Sequence, residues 1–453
     1  MNSKRLADRL ARIVGADHVL AADSCVPYTV DDRIPTAVAF PGDAQELSEV
    51  MKLASSDGLS VIPWGSGTTI GLGGIPTRVD LAVVLTRLNR IIDHEPGDLT
   101  ATFQAGIPLC DVQASLHRSG QFLPFDPAHC DRRTIGGILA TNSSGPSRHR
   151  YGTARDLVIG IRVVHADGTI TKGGAKVVKS VSGYDMNKLY VGSLGTLGII
   201  LEATFKLHPL PAVERTWIAL FQAGEGATRA LARILHATVV CTRIELLSSG
   251  AARSIGRQVG CQFPEGTAAL ALSVGGVPEA VDAQIAAIRQ FCRQEGAAAE
   301  FLVEDRTQDS LWKAVCNFSS VTGDGRYQVT LKASVLPTHV VDTIHYGETL
   351  AGRLGLESAA ISEAGCGIVR LYWTGAPGLA ANDPISIAKG IEDLRDQVVR
   401  HGGSLVILSA PAAIKAAVDV WGPVGNALSL MRELKRRFDP NGLLNPGRFV
   451  GGI

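Results

Sequence analysis

Residues 122–211 read FLPFDPAHCDRRTIGGILATNSSGPSRHRYGTARDLVIGIRVVHADGTITKGGAKVVKSVSGYDMNKLYVGSLGTLGIILEATFKLHPLP, and the fold is decided within them. Four features stand in order. Asp126-Pro127 comes first. Thr134-Ile135-Gly136-Gly137 is followed by Asn142-Ser143-Ser144-Gly145. Tyr151-Gly152-Thr153 leads into Arg155-Asp156, and Gly192-Ser193-Leu194-Gly195-Thr196-Leu197-Gly198-Ile199 closes the set. Glycine has no Cβ, so its N–H can approach a ligand closely and its φ can be positive. Successive exposed amides form a concavity suited to anions or electron-rich rings. The hydroxyls of Thr134, Ser143, Ser144, Ser193 and Thr196 add donors without bulk. Any one of these glycine pairs is an ordinary tight turn. Four in one window describe a surface built from backbone.

A second glycine segment lies upstream. Residues 4–14 read as an amphipathic surface helix, with Lys4, Arg5, Arg9 and Arg12 among Leu6, Leu10, Ile13 and Val14. Asp31-Asp32-Arg33 forms a turn, Ala37–Phe40 a strand, Ala44–Ser56 a helix and Leu59–Pro63 another strand. Trp64-Gly65-Ser66-Gly67-Thr68-Thr69 follows at once. Strand, helix, strand and glycine loop is an α/β beginning. The loop is either a plain connection or a pyrophosphate cradle of amides with the Ser66, Thr68 and Thr69 hydroxyls. It is neither a Walker A loop nor a dinucleotide fingerprint.

Farther along, Leu81–Leu85 is a buried strand. Ile91–Glu95 and Thr100–Gln104 form an antiparallel pair, Leu109–Ser119 a helix, Leu157–His165 with Thr169–Lys172 a hairpin, and Ile199–Leu207 a strand. From Thr216 to about Leu408 strands and helices alternate. The strands are Trp217–Phe221, Arg243–Leu247, Ala268–Val274, Glu300–Val303, Gln328–Val335, Ser358–Ser362 and Ile368–Trp373. The helices include Glu279–Glu295 and His339–Leu354. This alternation predicts a ferredoxin-like sheet with helices on one face. A helix over Gly425–Phe438, striped by Leu428, Met431, Leu434 and Phe438, precedes Asp439-Pro440 and Asn445-Pro446-Gly447.

The order of these motifs resembles the vanillyl-alcohol oxidase and p-cresol methylhydroxylase flavoproteins, and within them the D-lactate dehydrogenase and glycolate oxidase branch. The resemblance implies an α+β fold with FAD held non-covalently, because the first loop offers no His or Cys for attachment. A two-subdomain FAD-binding domain is expected over residues 1–211, a cap that selects substrate over 212–410, and a C-terminal element returning to the first domain over 411–453. The implied FAD contacts are Pro63, Trp64, Gly65, Ser66, Gly67, Thr68, Thr69, Asp126, Pro127, Thr134, Ile135, Gly136 and Gly137. They continue with Asn142, Ser143, Ser144, Gly145, Tyr151, Gly152, Arg155, Asp156, Gly195, Thr196, Gly198, Ile199, Ile200 and Asn445.

Oxidising a 2-hydroxy acid needs a cation for its carboxylate, usually Arg, and a base for its hydroxyl proton. Relatives of the D-lactate dehydrogenase type carry a histidine pair in a glycine-rich cap segment and a later Glu-His, which bind a metal. Here Ile361–Arg370 keeps the glycines and has no histidine, so no metal site is expected. Arg370 is the candidate for the carboxylate and Glu363 for the base. His129 and His149 read as structural or surface histidines, and the basic cluster Arg148-His149-Arg150 either meets an anion or faces only solvent. Asn-Ser-Ser-Gly-Pro with Arg148, the run 417–423 and the ending 446–452 resemble the smaller FAD-binding subunit of bacterial glycolate oxidases, although the chain is longer than expected for it. Leu194 stands where many catalytic relatives place Glu.

Composition bounds the partners. A net charge of +1 gives no argument for nucleic acid. The eight cysteines show no C-x-x-C and read as free thiols in a reducing compartment, with the cytoplasm as the default location. No apolar run is long enough to span a membrane. Two main readings stay open. In one, the chain is an FAD-dependent oxidoreductase acting on glycolate, lactate or a similar acid and passing electrons to an iron–sulfur subunit or a second flavoprotein. In the other, it is a non-catalytic, flavin-carrying subunit of a glycolate oxidase-like complex. A third, the FAD domain of a cell-wall precursor reductase, fits the C-terminal motif poorly.

Overall fold

The N-terminal stripe folds as its spacing demands: in α1 (Ser3–Val14) Leu6, Leu10 and Val14 are buried. A computed structural model of the chain describes residues 3–175, 184–222, 224–260, 263–318, 328–375 and 383–453. The first sheet contains β1 (Val19–Ala21), β2 (Ala37–Ala39), β3 (Val61–Trp64) and β4 (Leu81–Val84) in the order β1-β2-β4-β3. β2 and β3 both run parallel to β4. That arrangement needs a crossover, and α2 (Ala44–Asp57) supplies it, burying Leu47, Val50, Met51 and Ala54. Asp43 caps α2 by accepting from the Glu46 amide at 2.8 Å.

The second sheet is antiparallel. It takes β5 (Ile91–Glu95) and β6 (Thr100–Gln104); beyond the two-residue β7 (Gln121–Phe122) come β8 (Val158–Val164), β9 (Ile170–Gly174) and β10 (Ile199–Lys206). Their order is β5-β6-β10-β8-β9, and β7 pairs separately with β11 (His208–Pro209). Phe103, Phe205, Ile138 and Leu139 share one core with the first sheet's Val61, Leu81 and Val83. α3 (Leu109–His117) and α4 (Ile135–Thr141) belong to the same layer.

The cap is a larger antiparallel sheet than the strand pattern suggests. It consists of β12 (Val213–Phe221), β13 (Arg243–Leu247), β14 (Ala268–Gly276), β15 (Ala299–Val303), β16 (Gln328–Ser334), β17 (Glu357–Glu363), β18 (Ile368–Thr374) and β19 (Ser404–Ser409). The order is β15-β12-β14-β13-β17-β18-β16-β19. The expectation of helices on one face is corrected. Trp217, Ala219 and Phe221 pack with α5 (Gly224–His236), while their neighbours Ile218 and Leu220 pack with α6 (Ser249–Val259) on the opposite side. A strand apolar on both faces needs cover on both. The first face adds α7 (Pro278–Gln294), and the second adds α8 (Asp305–Cys316). α9 (Val340–Arg353) and α10 (Pro384–Arg400) also pack on the first face.

The last segment divides its allegiance. Past α11 (Ala412–Ala417), Ile414, Val418 and Val420 pack into the cap core. Beyond α12 (Ala427–Phe438) the chain reaches β3, where the Val61 amide donates to the Leu443 carbonyl (2.8 Å) and the Asn445 amide to the Val61 carbonyl (2.9 Å). The apolar stripe read along α12 is only half-buried. Its buried residue is Lys435, whose Nζ donates to Asp439 (2.6 Å) and to the carbonyls of Thr196 (2.8 Å) and Leu444 (2.9 Å). Asp439 also accepts from the amides of Leu443 (3.0 Å) and Leu444 (2.7 Å), which explains the spacing of the Asp-Pro and Asn-Pro-Gly pairs.

Candidate active site

Two adjoining cavities lie where these elements meet. The smaller, about 80 Å³, is walled by Pro63, Trp64, Gly65, Ser66, Gly67, Thr68, Thr69, Thr134, Gly137, Leu194, Gly195, Asn445 and Arg448. The larger, about 340 Å³, lies between the first domain and the cap and includes Asn142, Ser143, Ser144 and Gly145 in its wall. Thr68, Thr69, Leu72 and Thr141 border both.

Backbone chemistry shapes the smaller cavity. Thr134 caps α4 by accepting from the Gly137 amide (3.3 Å). A Cβ on Gly65 would run into the Thr134 hydroxyl, so any other residue here must displace Thr134. Gly195 adopts φ +69° against Pro63. Asn445 holds the Leu194 carbonyl with its amide nitrogen, while its Oδ1 is buried without a partner. The Oδ1 of Asn142 and the hydroxyl of Ser144 are orphaned in the same way. Buried polar atoms of this kind call for a partner. A cradle of amides, small hydroxyls and unpaired side-chain oxygens fits the pyrophosphate and ring edges of FAD.

Several expected contacts fall outside both walls. Tyr151 stacks edge-on with Phe122 and His208. Gly152, Arg155 and Asp156 form a turn and a capping box, with Asp156 accepting from Thr153. Ile135 and Gly136 are buried in α4. Thr196 bonds the Ser193 carbonyl, and Gly198, Ile199 and Ile200 open β10 without lining either cavity. Pro127 lines neither cavity. Asp126 borders the larger one, but its carboxylate is taken by the Ser147 amide and hydroxyl and by Arg243 at 3.2 Å.

The cap contributes a polar stripe. In β16, Val329, Leu331 and Ala333 are core, so period 2 turns Gln328, Thr330 and Lys332 to the other side. In β18 the same alternation presents Arg370 and Tyr372. Lys332 stands directly across from Arg370, and Thr330 from Tyr372. All five line the larger cavity. Arg370 donates to the Ser144 carbonyl (3.1 Å), tying the stripe to the first domain.

Glu363 is placed differently from the expectation of a base. It is 1% exposed, borders neither cavity, and is gripped by Arg370 and by Arg148 (3.4 Å). A carboxylate held by two guanidiniums positions them rather than taking a substrate proton. Burial works against the Arg370 charge, but Glu363 more than compensates and its pKa is raised. Among the described residues Lys332 makes no such ion pair, although Glu363 favours its charge. Burial lowers its ammonium to about 8, helped by Arg370 and Arg148. His129 borders the cavity in a left-handed conformation, and burial and Arg133 lower its pKa. His149 sits 4.0 Å from the Cys366 sulfur. Lys332, Tyr372, Thr330 and Arg133 are wall residues that motif reading missed; the alternation in Gln328–Ser334 was the available signal for two of them.

Residues 35–174 match the FAD binding domain, and residues 210–406 with 420–449 match the C-terminal domain of FAD linked oxidases. The chain is an FAD-linked oxidase. FAD is its cofactor, and its resemblance to the D-lactate dehydrogenase and glycolate oxidase branch is confirmed. This FAD-linked oxidase is 28% identical to glycolate oxidase subunit GlcD of Bacillus subtilis (strain 168), over 99% of this chain and 97% of that one. It is 28% identical to a probable mitochondrial D-lactate dehydrogenase of Danio rerio (92% and 85% covered). It is 26% identical to a D-2-hydroxyglutarate dehydrogenase of Xanthomonas citri pv. viticola (91% and 89%). Its fold matches p-cresol methylhydroxylase with substrate bound at TM-score 0.77, 16% identity, over 98% of this chain and 96% of that one. Alkyldihydroxyacetonephosphate synthase matches at TM-score 0.74 and 19% identity (98% and 84%). Among the described residues no cluster of three or more His, Cys, Asp or Glu could hold a metal, and no helix is long and apolar enough to cross a membrane.

Proposed function

We propose that this oxidase converts a 2-hydroxy acid to the 2-oxo acid in the larger cavity, with FAD held non-covalently along both cavities. The observation that carries the reading is the facing pair Lys332 and Arg370 beside the Ser143–Ser144 backbone. When bound, the flavin supplies an electron sink that takes the C2 hydrogen with its electron pair. Arg370, fixed by Glu363 and the Ser144 carbonyl, receives the carboxylate through its planar fork. Lys332 takes the hydroxyl proton, because its amine is free above about pH 8. Ser143 and Ser144 bring donors to the edge of the site. Electrons then leave to a partner subunit, an iron–sulfur protein or a second flavoprotein, as kinship with GlcD suggests. The non-catalytic reading leaned on the missing histidines; Lys332 offers another proton acceptor.

The test is anaerobic. The purified yellow protein is mixed with glycolate, D-lactate, L-lactate and longer 2-hydroxy acids, and the flavin band is followed. Bleaching is expected, with a rate that rises with pH, is half-maximal near pH 8, where Lys332 loses its proton, and levels above it. Arg370→Ala should weaken substrate binding by roughly 100-fold with an unchanged flavin spectrum. A flavin that stays oxidised with every acid would remove the proposal.

A further inference from the structure

Arg133 stands apart from the other arginines in and beside the larger cavity. It precedes α4, is 5% exposed, and lines the cavity between the Thr68 loop and the cap. Among the described residues its guanidinium makes one side-chain contact, a long 3.4 Å bond from Nε to the Thr68 hydroxyl. Arg148 and Arg370 share Glu363, and Arg243 is matched by Asp126 and Glu214. Among the described residues Arg133 has no carboxylate beside it. Burial, and then repulsion from Arg370, lower its pKa to about 10 against a small opposing pull from Cys130. A desolvated guanidinium without a counter-charge is unfavourable in the free protein, and a guanidinium lining a cavity with its terminal N–H groups unspent suits an oxyanion.

We infer that Arg133 is a second anion-binding site, and that the substrate is a 2-hydroxy acid bearing another acid group, a 2-hydroxy dicarboxylate, rather than glycolate or lactate. The inference rests on the proposed 2-hydroxy-acid oxidation for the reaction but not for the binding. Arg370 and Arg133 line one cavity without sharing an anion, so a molecule with a carboxylate at each end satisfies both. A monocarboxylate leaves Arg133 buried and unpaired.

Two measurements separate this inference from the oxidation itself. In anaerobic flavin reduction, malate and 2-hydroxyglutarate, each as both enantiomers, are compared with glycolate and lactate. The dicarboxylates should be used roughly 100-fold more efficiently, and Arg133→Gln should remove roughly 10- to 100-fold of that advantage while leaving lactate within about threefold. The second is turnover-free: perturbation of the flavin absorbance by glutarate and 2-oxoglutarate, against acetate and pyruvate. Tighter binding of the diacids, lost in Arg133→Gln, supports the site even if no acid bleaches the flavin. Lactate equal to the dicarboxylates, or diacids binding no better than monoacids, overturns it. So does Arg133→Gln weakening all acids alike, or shifting only FAD affinity and flavin potential, which would place Arg133 on the cofactor.

Discussion

Glu363 and Glu245 are cross-strand partners with opposite fates. Glu363 sits between two arginines, so Glu363→Gln strips both of their counter-charge and should destabilise by about 3 kcal/mol, read as a lower urea midpoint. Glu245 is fully buried, and neither of its carboxylate oxygens has a partner. Burial, then Glu363, raises its pKa well above the usual 4.5. The unfolded chain ionises first, so folding takes up a proton and stability from this group falls as pH rises above 4.5. Glu245→Gln lacks that loss, and its advantage in Tm over the parent should grow from pH 5 to pH 8. Lys332 has the opposite sign of charge: the cost of its buried ammonium is present below about 8 and fades toward 10.5. Lys332→Met should therefore stabilise at pH 7, by about 1–3 kcal/mol, while abolishing flavin reduction. Arg370 was legible from sequence because the Ile361–Arg370 segment is glycine-marked. Lys332 and Arg133 were not, since each stands in an unremarkable local context and acquires meaning only from strands and loops distant in sequence.

At the scale of elements, the glycine loops carry the most information per residue. Gly65→Ala drives a methyl into the Thr134 hydroxyl that caps α4. The cap bond should be lost, at about 1 kcal/mol, and the purified protein should be colourless or depleted of FAD; full yellow stoichiometry would contradict this account. The loops were readable because backbone approach leaves a compositional trace. So were most strands and α2, whose caps and apolar spacing agree. The cap's second helical layer was missed: α6 and α8 are interleaved with strands apolar on both faces, and one-sided alternation does not announce them. Lys435 was hidden for another reason. A lysine on a helix reads as a solvent-facing charge until its partners, Thr196, Asp439 and Leu444, are brought to it by the fold.

Across the whole molecule, a few buried polar ties join the cap to the first domain. Lys415, with a side chain 1% exposed, bonds Asp31 (2.7 Å) and the Gly71 carbonyl (2.6 Å). Arg243 and Arg370 cross the same divide to Asp126 and the Ser144 carbonyl. Lys415→Met leaves Asp31 buried without its cation and should lower stability by about 3 kcal/mol, with a faster release of FAD on dilution; unchanged retention would show that this tie does not govern the cavity. We propose domain limits near residues 211 and 410, with the apolar side of 414–420 assigned to the cap. The closing residues have a temporal consequence. Pro63, Gly65 and Thr134 are synthesised early, yet the same cavity is completed by Asn445 and Arg448. Domains commonly fold as they leave the ribosome, and the early half of this chain would do so with its nucleotide cradle missing a wall. Flavin capture therefore belongs after translation of the C-terminal segment. A nascent chain stalled before Asn445 would display a finished first sheet and remain colourless.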